Sequence, residues 1–143
     1  MRTSQIALML TVVLLTYAYS GGDATDSISE KWVSPAPSAA KKNPIASTQE
    51  SIGAGQKIYS KTCATCHGKT GDADGPAVIE LNIHPAKLSD PQLATESDGS
   101  LFWKITTGKK PMPAYGKRLS ETDRWNLVNY IRTLPKREAA ISK

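Results

Sequence analysis

The two cysteines of the chain are separated by only two residues, and a histidine directly follows the second. The stretch reads "SKTCATCHGKTG", with Cys63, Cys66 and His67 at its centre. Two thiols about one helical turn apart, followed at once by a histidine, have the spacing for covalent attachment of a c-type haem. The thiols add to the two vinyl groups of the porphyrin, and an imidazole nitrogen binds the iron. The spacing therefore predicts Cys63 and Cys66 as attachment points and His67 as an axial iron ligand.

Two other chemistries use similar residues and are weighed against haem. A thioredoxin-like dithiol has the same cysteine spacing but belongs to a βαβ context, and here a helical pattern precedes Cys63. A structural zinc ion needs four ligands, mostly cysteine and histidine. The cysteines and histidines available for zinc are Cys63, Cys66, His67 and His84. Since Cys66 and His67 are adjacent and would have to share one ion, the sequence favours haem over both alternatives.

The second axial position of the iron is assigned by elimination. Met1 and Met9 lie in a predicted export signal, which leaves Met112 as the one thioether of the processed chain. Met112 stands between two prolines in the loop "KPMPAYG", where the backbone is extended and a role in the core is disfavoured. His84 is the competing ligand, although a surface or pocket-lining role suits it better. Met112 is the predicted second ligand, and His/Met ligation raises the reduction potential relative to two imidazoles.

The N-terminal part of the chain predicts export. A positive start, Met1-Arg2, precedes the apolar run "IALMLTVVLL", and small residues at 18 and 20 fit a cleavage site. The alternative is a retained membrane anchor, for which the run is short. Removal of residues 1–20 takes away one basic residue and no acid, so the formal charge falls from +5 to +4. Residues 21–46 are rich in proline and small polar residues, and they predict an extended arm or linker.

Helical patterns dominate the rest of the chain, and we predict one all-α domain of four to five helices over residues 47–137, with a tail at 138–143. Ser47 with Glu50 fits a capping box for a first helix that ends near Cys63. Short helical turns are predicted around 75–82 and 89–96. Ser97 is expected to begin a longer helix that stops at Gly108, and Ser120 to begin the last helix. No stretch alternates long enough to predict a strand.

The order of these motifs resembles the class I, or monohaem, cytochromes c. The shared motifs are Gly55-x3-Tyr59-x3-Cys63, CATCH, Gly75-Pro76, Met112-Pro113 and Trp125-x-Leu-Val-x-Tyr130-Ile-Arg-x-Leu134. They cover nearly all of residues 50–135. More loosely, "GDADGPA" and "LFWKITTGKKPMPAY" resemble bacterial cytochrome c domains of respiratory chains, some of which are parts of membrane complexes.

The resemblance implies several contacts around one covalently bound haem c. Gly55 and Tyr59 of the first helix are expected to cross the last helix near Leu127 and Tyr130. The carbonyl of Pro76 is expected to accept a hydrogen bond from the second ring nitrogen of His67, which fixes the imidazole tautomer. Tyr115 and Trp103 are expected to line the haem pocket or reach a propionate, with ordinary core packing as the alternative.

The predicted function is one-electron transfer in an exported respiratory or periplasmic chain, without enzymatic conversion of a small-molecule substrate and without nucleic acid as a partner. Basic residues that could steer an acidic redox partner toward the haem edge are Lys69, Lys87, Lys109, Lys110, Lys117 and Arg118. A free shuttle and a subunit of a larger, membrane-associated complex both remain open. A haem sensor with a labile sixth ligand and a thiol–disulfide oxidoreductase are the alternatives from other functional classes.

Overall fold

The computed structural model describes residues 32–135, and these residues form an all-α structure. The helices are α1 (Ala36–Ala39), α2 (Gln49–Thr62), α3 (Ala64–His67), α4 (Ala77–Glu80), a 3₁₀-helix (Pro91–Thr95), α5 (Asp98–Thr107) and α6 (Glu121–Ile131). The described residues contain no strand, and one isolated bridge joins Lys109 to Met112. The predicted all-α class is confirmed. No helix within 32–135 is long and apolar enough to span a membrane.

The start of α2 lies one residue further along the chain than the sequence predicted. The side chain of Thr48 accepts a hydrogen bond from the Ser51 amide at 3.2 Å, and the Thr48 amide donates to the Ser51 hydroxyl at 3.1 Å. Thr48 and Ser51 therefore form the reciprocal capping box, and the predicted pair of Ser47 and Glu50 is wrong. The hydroxyl of a serine three residues after the cap can accept the hydrogen bond from the cap amide, as a glutamate side chain does. The sequence prediction considered only glutamate in this role.

The predicted ends of the two later helices are confirmed. Ser97 accepts a hydrogen bond from the Ser100 amide at 3.1 Å at the start of α5, and Gly108 ends that helix with a φ of 62°. Ser120 accepts from the Asp123 amide at 3.1 Å at the start of α6. These caps satisfy amides that have no partner within their own helix, and so they fix where each helix begins.

The longest and last helices, α2 and α6, make the most extensive contact in the structure. A Cβ atom added at Gly55 would lie 2.1 Å from the carbonyl oxygen of Asn126, so only glycine allows the two backbones to approach this closely. The rings of Tyr59 and Tyr130 pack 5.0 Å apart beside this crossing, and Leu127 is fully buried. The crossing implied by the resemblance is present as expected.

Residues 33–46 differ from the extended linker that the sequence predicted. From Val33 onward the chain belongs to one compact unit with the helices. Ser34 is buried and donates to the hydroxyl of Ser100 at 2.9 Å, and α1 packs against α5. The side-chain amide of Asn43 donates to the side-chain oxygen of Asn129 in α6 at 2.8 Å. These partners are distant in sequence, so composition alone could not reveal them. The predicted signal (1–20), the rest of the arm and the C-terminal tail lie outside the described residues.

Candidate haem-binding site

The cysteines and His67 lie on a helical turn that continues directly from α2. The amide of Cys63 donates to the carbonyl of Tyr59 at 2.8 Å, and the amide of His67 donates to the carbonyl of Cys63 at 2.9 Å. Helical hydrogen bonding thus runs through the junction of α2 and α3, and the two thiols come one turn apart, as covalent haem attachment needs. Both thiols are free and half-buried.

The environment of Cys63 favours a neutral thiol rather than the thiolate of a reactive dithiol. Burial raises the pKa of the Cys63 thiol, and the neighbouring Cys66 adds to this shift, while the Thr62 hydroxyl at 3.4 Å opposes it. Thiol–disulfide oxidoreductases need a lowered thiol pKa, because the thiolate is the nucleophile. The direction of this shift therefore disfavours the dithiol alternative.

His67 is oriented by a backbone carbonyl, although a different one from that predicted. Its Nδ1 atom lies 2.9 Å from the carbonyl oxygen of Ala86, whereas the sequence had predicted the carbonyl of Pro76, the residue before α4. Burial lowers the pKa of the imidazole, and the bond to Ala86 partly opposes this shift. A neutral imidazole that donates from Nδ1 leaves Nε2 available as a metal ligand. The chain between 76 and 86 folds back on itself, so the far end of the loop supplies the carbonyl.

Met112 lies on the edge of the same apolar core as Cys63. Both are half-buried and pack against the cluster that contains Tyr59, Leu101 and Ile105. The loop that carries Met112 is held by hydrogen bonds from the Met112 amide to Lys109 at 2.8 Å and from the Tyr115 amide to Ile105 at 3.0 Å. The competing ligand His84 is exposed to solvent.

Tyr115 connects the Met112 loop to the helix end that precedes Cys63. Its ring is buried, and its hydroxyl donates to the carbonyl of Thr62 at 3.3 Å. Burial raises the pKa of the Tyr115 phenol, so the hydroxyl remains a hydrogen-bond donor at neutral pH. Trp103, the other predicted pocket residue, is half-buried in α5. Tyr115 thus contributes to the position of the loop whether or not it contacts haem.

The sequence did not predict two features near the site. One is the carbonyl of Ala86, which has no side-chain signal. The other is Arg124, whose side chain is buried against α5: its Nη1 donates to the Thr106 hydroxyl at 3.1 Å, and its guanidinium lies 4.8 Å from the centre of the Phe102 ring. An arginine in the first turns of a helix normally indicates a solvated face, so its burial could be found only in the structure.

The donor set fits a covalently bound haem. Two thiols one turn apart and an imidazole beside them are groups that attach and bind such a cofactor, and a thioether lies on the same apolar core. Within residues 32–135, no cluster of three or more histidine, cysteine, aspartate or glutamate side chains converges on a possible ion site. The described part of the chain therefore gives no support to a structural zinc ion.

Comparison with known proteins points to the same cofactor. Residues 50–131 match the family described as cytochrome c oxidase, cbb3-type, subunit III. Cytochrome c6 of Alaria esculenta is 33% identical over 84 residues, which cover 57% of this chain and 90% of that protein. Cytochrome c6 of a Synechococcus species is 32% identical over 80 residues, covering 56% of this chain and 67% of the relative.

Solved structures with a similar fold include a chain of a protein complex and a c-type cytochrome. A chain of the Kuenenia stuttgartiensis reducing HAO-like protein complex Kustc0457/Kustc0458 aligns with a TM-score of 0.56 and 32% identity, over 64% of this chain but only 46% of that one. The c-type cytochrome KustC0563 aligns with a TM-score of 0.50 and 26% identity, over 56% of this chain and 95% of that one. The chain therefore belongs to the monohaem c-type cytochromes, and it is an electron-transfer protein, rather than an enzyme, with one covalent haem c.

Proposed function

We propose that this protein carries single electrons in an exported respiratory or periplasmic chain, with its haem iron held between His67 and Met112. The observation that carries the proposal is the arrangement of Cys63, His67 and Met112: the attachment turn continues from α2, and the Met112 loop packs on the same apolar core. The haem supplies a one-electron iron couple. The residues of the chain hold it in place and keep water from the core.

The predicted ligands leave no open position on the iron for a substrate. Met112 is a soft thioether, which favours ferrous iron and raises the reduction potential. The carbonyl of Ala86 holds His67 in one tautomer, and the hydrogen bonds of Tyr115 hold the Met112 loop. A fixed pair of ligands changes little between the two oxidation states, which favours electron transfer over bond chemistry.

Export is supported by the N-terminal sequence and by the chemistry of attachment. Residues 1–20 have the positive start, apolar run and small residues of a secretory signal. Covalent attachment of haem requires reduced thiols and haem outside the cytoplasm, which agrees with such a signal. We therefore place the working protein in the periplasm or an equivalent exported compartment.

Partners of the site are proposed to be redox proteins, at least one of them with an acidic docking surface. Residues 99–120, which include the Met112 loop, contain five basic residues and no acidic one, and all of these basic residues except Lys104, which is paired with Glu96, are exposed. Such a region steers an acidic protein toward the iron site. The matching family is described as a subunit of an oxidase, and one similar structure is described as a protein complex. This favours a role as a subunit of a larger, membrane-associated assembly over that of a free shuttle.

The experiment that tests this function compares Met112→Ala with His84→Ala in the exported holoprotein. The wild type is expected to give a c-type pyridine haemochrome and a methionine-to-iron charge-transfer band in the red. Met112→Ala should lose this band, lower the reduction potential and open the iron to carbon monoxide, because the thioether is gone. His84→Ala should behave as the wild type, since His84 is exposed.

Each component of the proposal can fail separately in this experiment. A colourless exported wild type would contradict covalent haem attachment. A coloured protein whose spectrum and potential do not respond to Met112→Ala would contradict His/Met ligation alone. Tight carbon monoxide binding by the wild type would favour a sensor with a labile sixth ligand.

A further inference from the structure

Residues 72–87 form a closed surface loop beside the haem-attachment turn. The amide of Leu88 donates to the carbonyl of Gly71 at 2.7 Å, and the hydroxyl of Ser89 donates to the carboxylate of Asp72 at 2.6 Å. The ammonium of Lys87 lies 3.4 Å from the same carboxylate. The two ends of the loop are thus fastened together, which is the geometry of an Ω-loop, a type of loop that often has a functional role.

The loop is also attached to the haem-binding turn at two points. At one end the amide of Gly75 donates to the carbonyl of Cys66 at 3.3 Å, and at the other the carbonyl of Ala86 lies 2.9 Å from Nδ1 of His67. Inside the loop, the amide of Ile83 donates to the carbonyl of Val78 at 3.2 Å. A protein that docks on this loop would therefore contact a segment that is hydrogen-bonded directly to His67, the predicted iron ligand.

Two large aliphatic side chains of the loop are exposed to solvent. Ile79 in α4 is 90% exposed, and Leu81 directly after α4 is 58% exposed. Within residues 32–135 the one other large hydrophobic side chain of comparable exposure is Val33. Two large aliphatic side chains presented by a fastened loop contribute little to folding, whereas a contact surface gains from them when they are buried in a complex.

The charges beside these side chains indicate which partner would fit. Residues 73–86 contain two acidic residues, Asp74 and Glu80, both exposed, and no lysine or arginine. The nearest lysine, Lys87, faces the carboxylate of Asp72 at the base of the loop. The loop tip thus combines exposed aliphatic side chains with two carboxylates, beside the exposed His84, while the exposed Lys69 lies outside the loop, just after the haem-binding turn. Such a surface complements positive charge on a partner and is repelled by anionic lipid.

We propose that the tip of this loop, Ile79 and Leu81, is a docking surface for a second redox protein whose own surface is apolar with lysine or arginine around it. The proposal rests on the electron-transfer function proposed above and adds a partner to it. One electron passes between the iron of this protein and that of the partner, so one is oxidised as the other is reduced. The electron then enters and leaves the protein through two regions of opposite charge, the loop tip and the exposed basic residues between 109 and 118.

The experiment compares Ile79→Ser with Val33→Ser, which removes an equally apolar exposed side chain outside the loop. Stopped-flow mixing measures the electron-transfer rate from the reduced holoprotein to an oxidised, lysine-rich c-type cytochrome and, separately, to ferricyanide. With the cytochrome, Ile79→Ser is expected to lower the second-order rate about fivefold, because apolar contact is lost. Val33→Ser should match the wild type, and ferricyanide should oxidise all three proteins equally.

Three outcomes have different meanings. A wild type that reduces neither oxidant would contradict the proposed function itself. A wild type that reduces both, with Ile79→Ser equal to Val33→Ser toward the cytochrome, would overturn the docking surface alone. If Ile79→Ser instead abolishes sedimentation with phosphatidylcholine vesicles and leaves the cytochrome rate unchanged, the occupant of the loop tip is a membrane and the proposal is overturned.

Discussion

At the scale of single residues, the fold sets the protonation state of the groups around the site. Burial lowers the pKa of His67 and raises the pKa of Cys63. Both shifts favour the neutral form, because a charged group loses solvation when it leaves water. The imidazole is therefore available as a ligand near neutral pH, and the thiol is kept from reacting as a free thiolate.

Asp72, at the base of the Ω-loop, has the opposite kind of shift. Hydrogen bonds from Ser89 and Thr70, and then the charge of Lys87, hold the pKa of this carboxyl below its ordinary value of 3.8. A carboxyl whose pKa is depressed in the folded state stabilises the protein at pH values above 3.8, and this contribution is lost as the pH falls through the folded pKa.

We therefore expect Asp72→Asn to lower the free energy of unfolding at pH 7 and to have a smaller effect once the pH falls below the folded pKa, which lies under 3.8, because the carboxyl is then protonated in both states. Urea unfolding of the holoprotein at a series of pH values measures this difference. Glu80→Gln is the control, since Glu80 is exposed in the same loop. An equal loss of stability at all pH values would show that the ionisation of Asp72 is not responsible.

At the scale of elements, the position of the attachment turn depends on how α2 crosses α6. The crossing is close because Gly55 has no side chain, and it is stabilised by the packing of Tyr59 on Tyr130. Tyr59 also donates from its hydroxyl to the carbonyl of Gly68 at 2.8 Å, directly after His67. The crossing of the two helices thus orients the residues that hold the cofactor.

Gly55→Ala is expected to destabilise the holoprotein by at least about 2 kcal/mol, because the added methyl group meets the backbone of Asn126 and cannot be accommodated by a rotamer change. Gly53→Ala in the same helix is the control. A Cβ at Gly53 meets nothing within 4 Å, so this variant should gain up to about 1 kcal/mol from helix propensity. Thermal or urea unfolding measures both, and equal effects would contradict the close crossing.

At the scale of the whole molecule, the charge is divided along the chain. The formal net charge is +5, and the segment 99–120 contains five basic residues and no acidic one, whereas 73–86 contains two acidic residues and no lysine or arginine. Lys104 is paired with Glu96, and the other four basic residues of 99–120 are exposed. A division of this kind favours docking in a defined orientation and makes association depend on salt.

We expect Lys117→Glu to slow electron exchange with an acidic redox protein about threefold or more at low ionic strength. Lys57→Glu, at an exposed position of α2, changes the net charge equally and should have a smaller effect. Raising the salt concentration should make the electron-exchange rates of the wild type and the two variants more similar, because exposed charges are screened. Equal slowing by both variants would indicate a response to net charge without a docking surface at 99–120.

Much of the site could be predicted because its signals are local in the chain. The spacing of Cys63, Cys66 and His67 specifies the attachment chemistry within five residues, and the caps at Ser97 and Ser120 specify where α5 and α6 begin. The apolar residues Leu127, Val128, Ile131 and Leu134 recur at helical spacing in the sequence, and all four are buried. Helical periodicity and caps involve residues three or four positions apart, so the sequence alone determined them.

What only the tertiary structure decided involves contacts between residues distant in sequence. The hydrogen bond from His67 goes to Ala86 rather than to Pro76, and a backbone carbonyl has no residue-type signal. Asn43 joins residues 33–46 to α6, although prolines and small polar residues had predicted a linker. Exposure of Ile79 and burial of Arg124 likewise depend on how loops and helices pack. Such contacts are fixed by three-dimensional packing, which local composition and spacing do not encode.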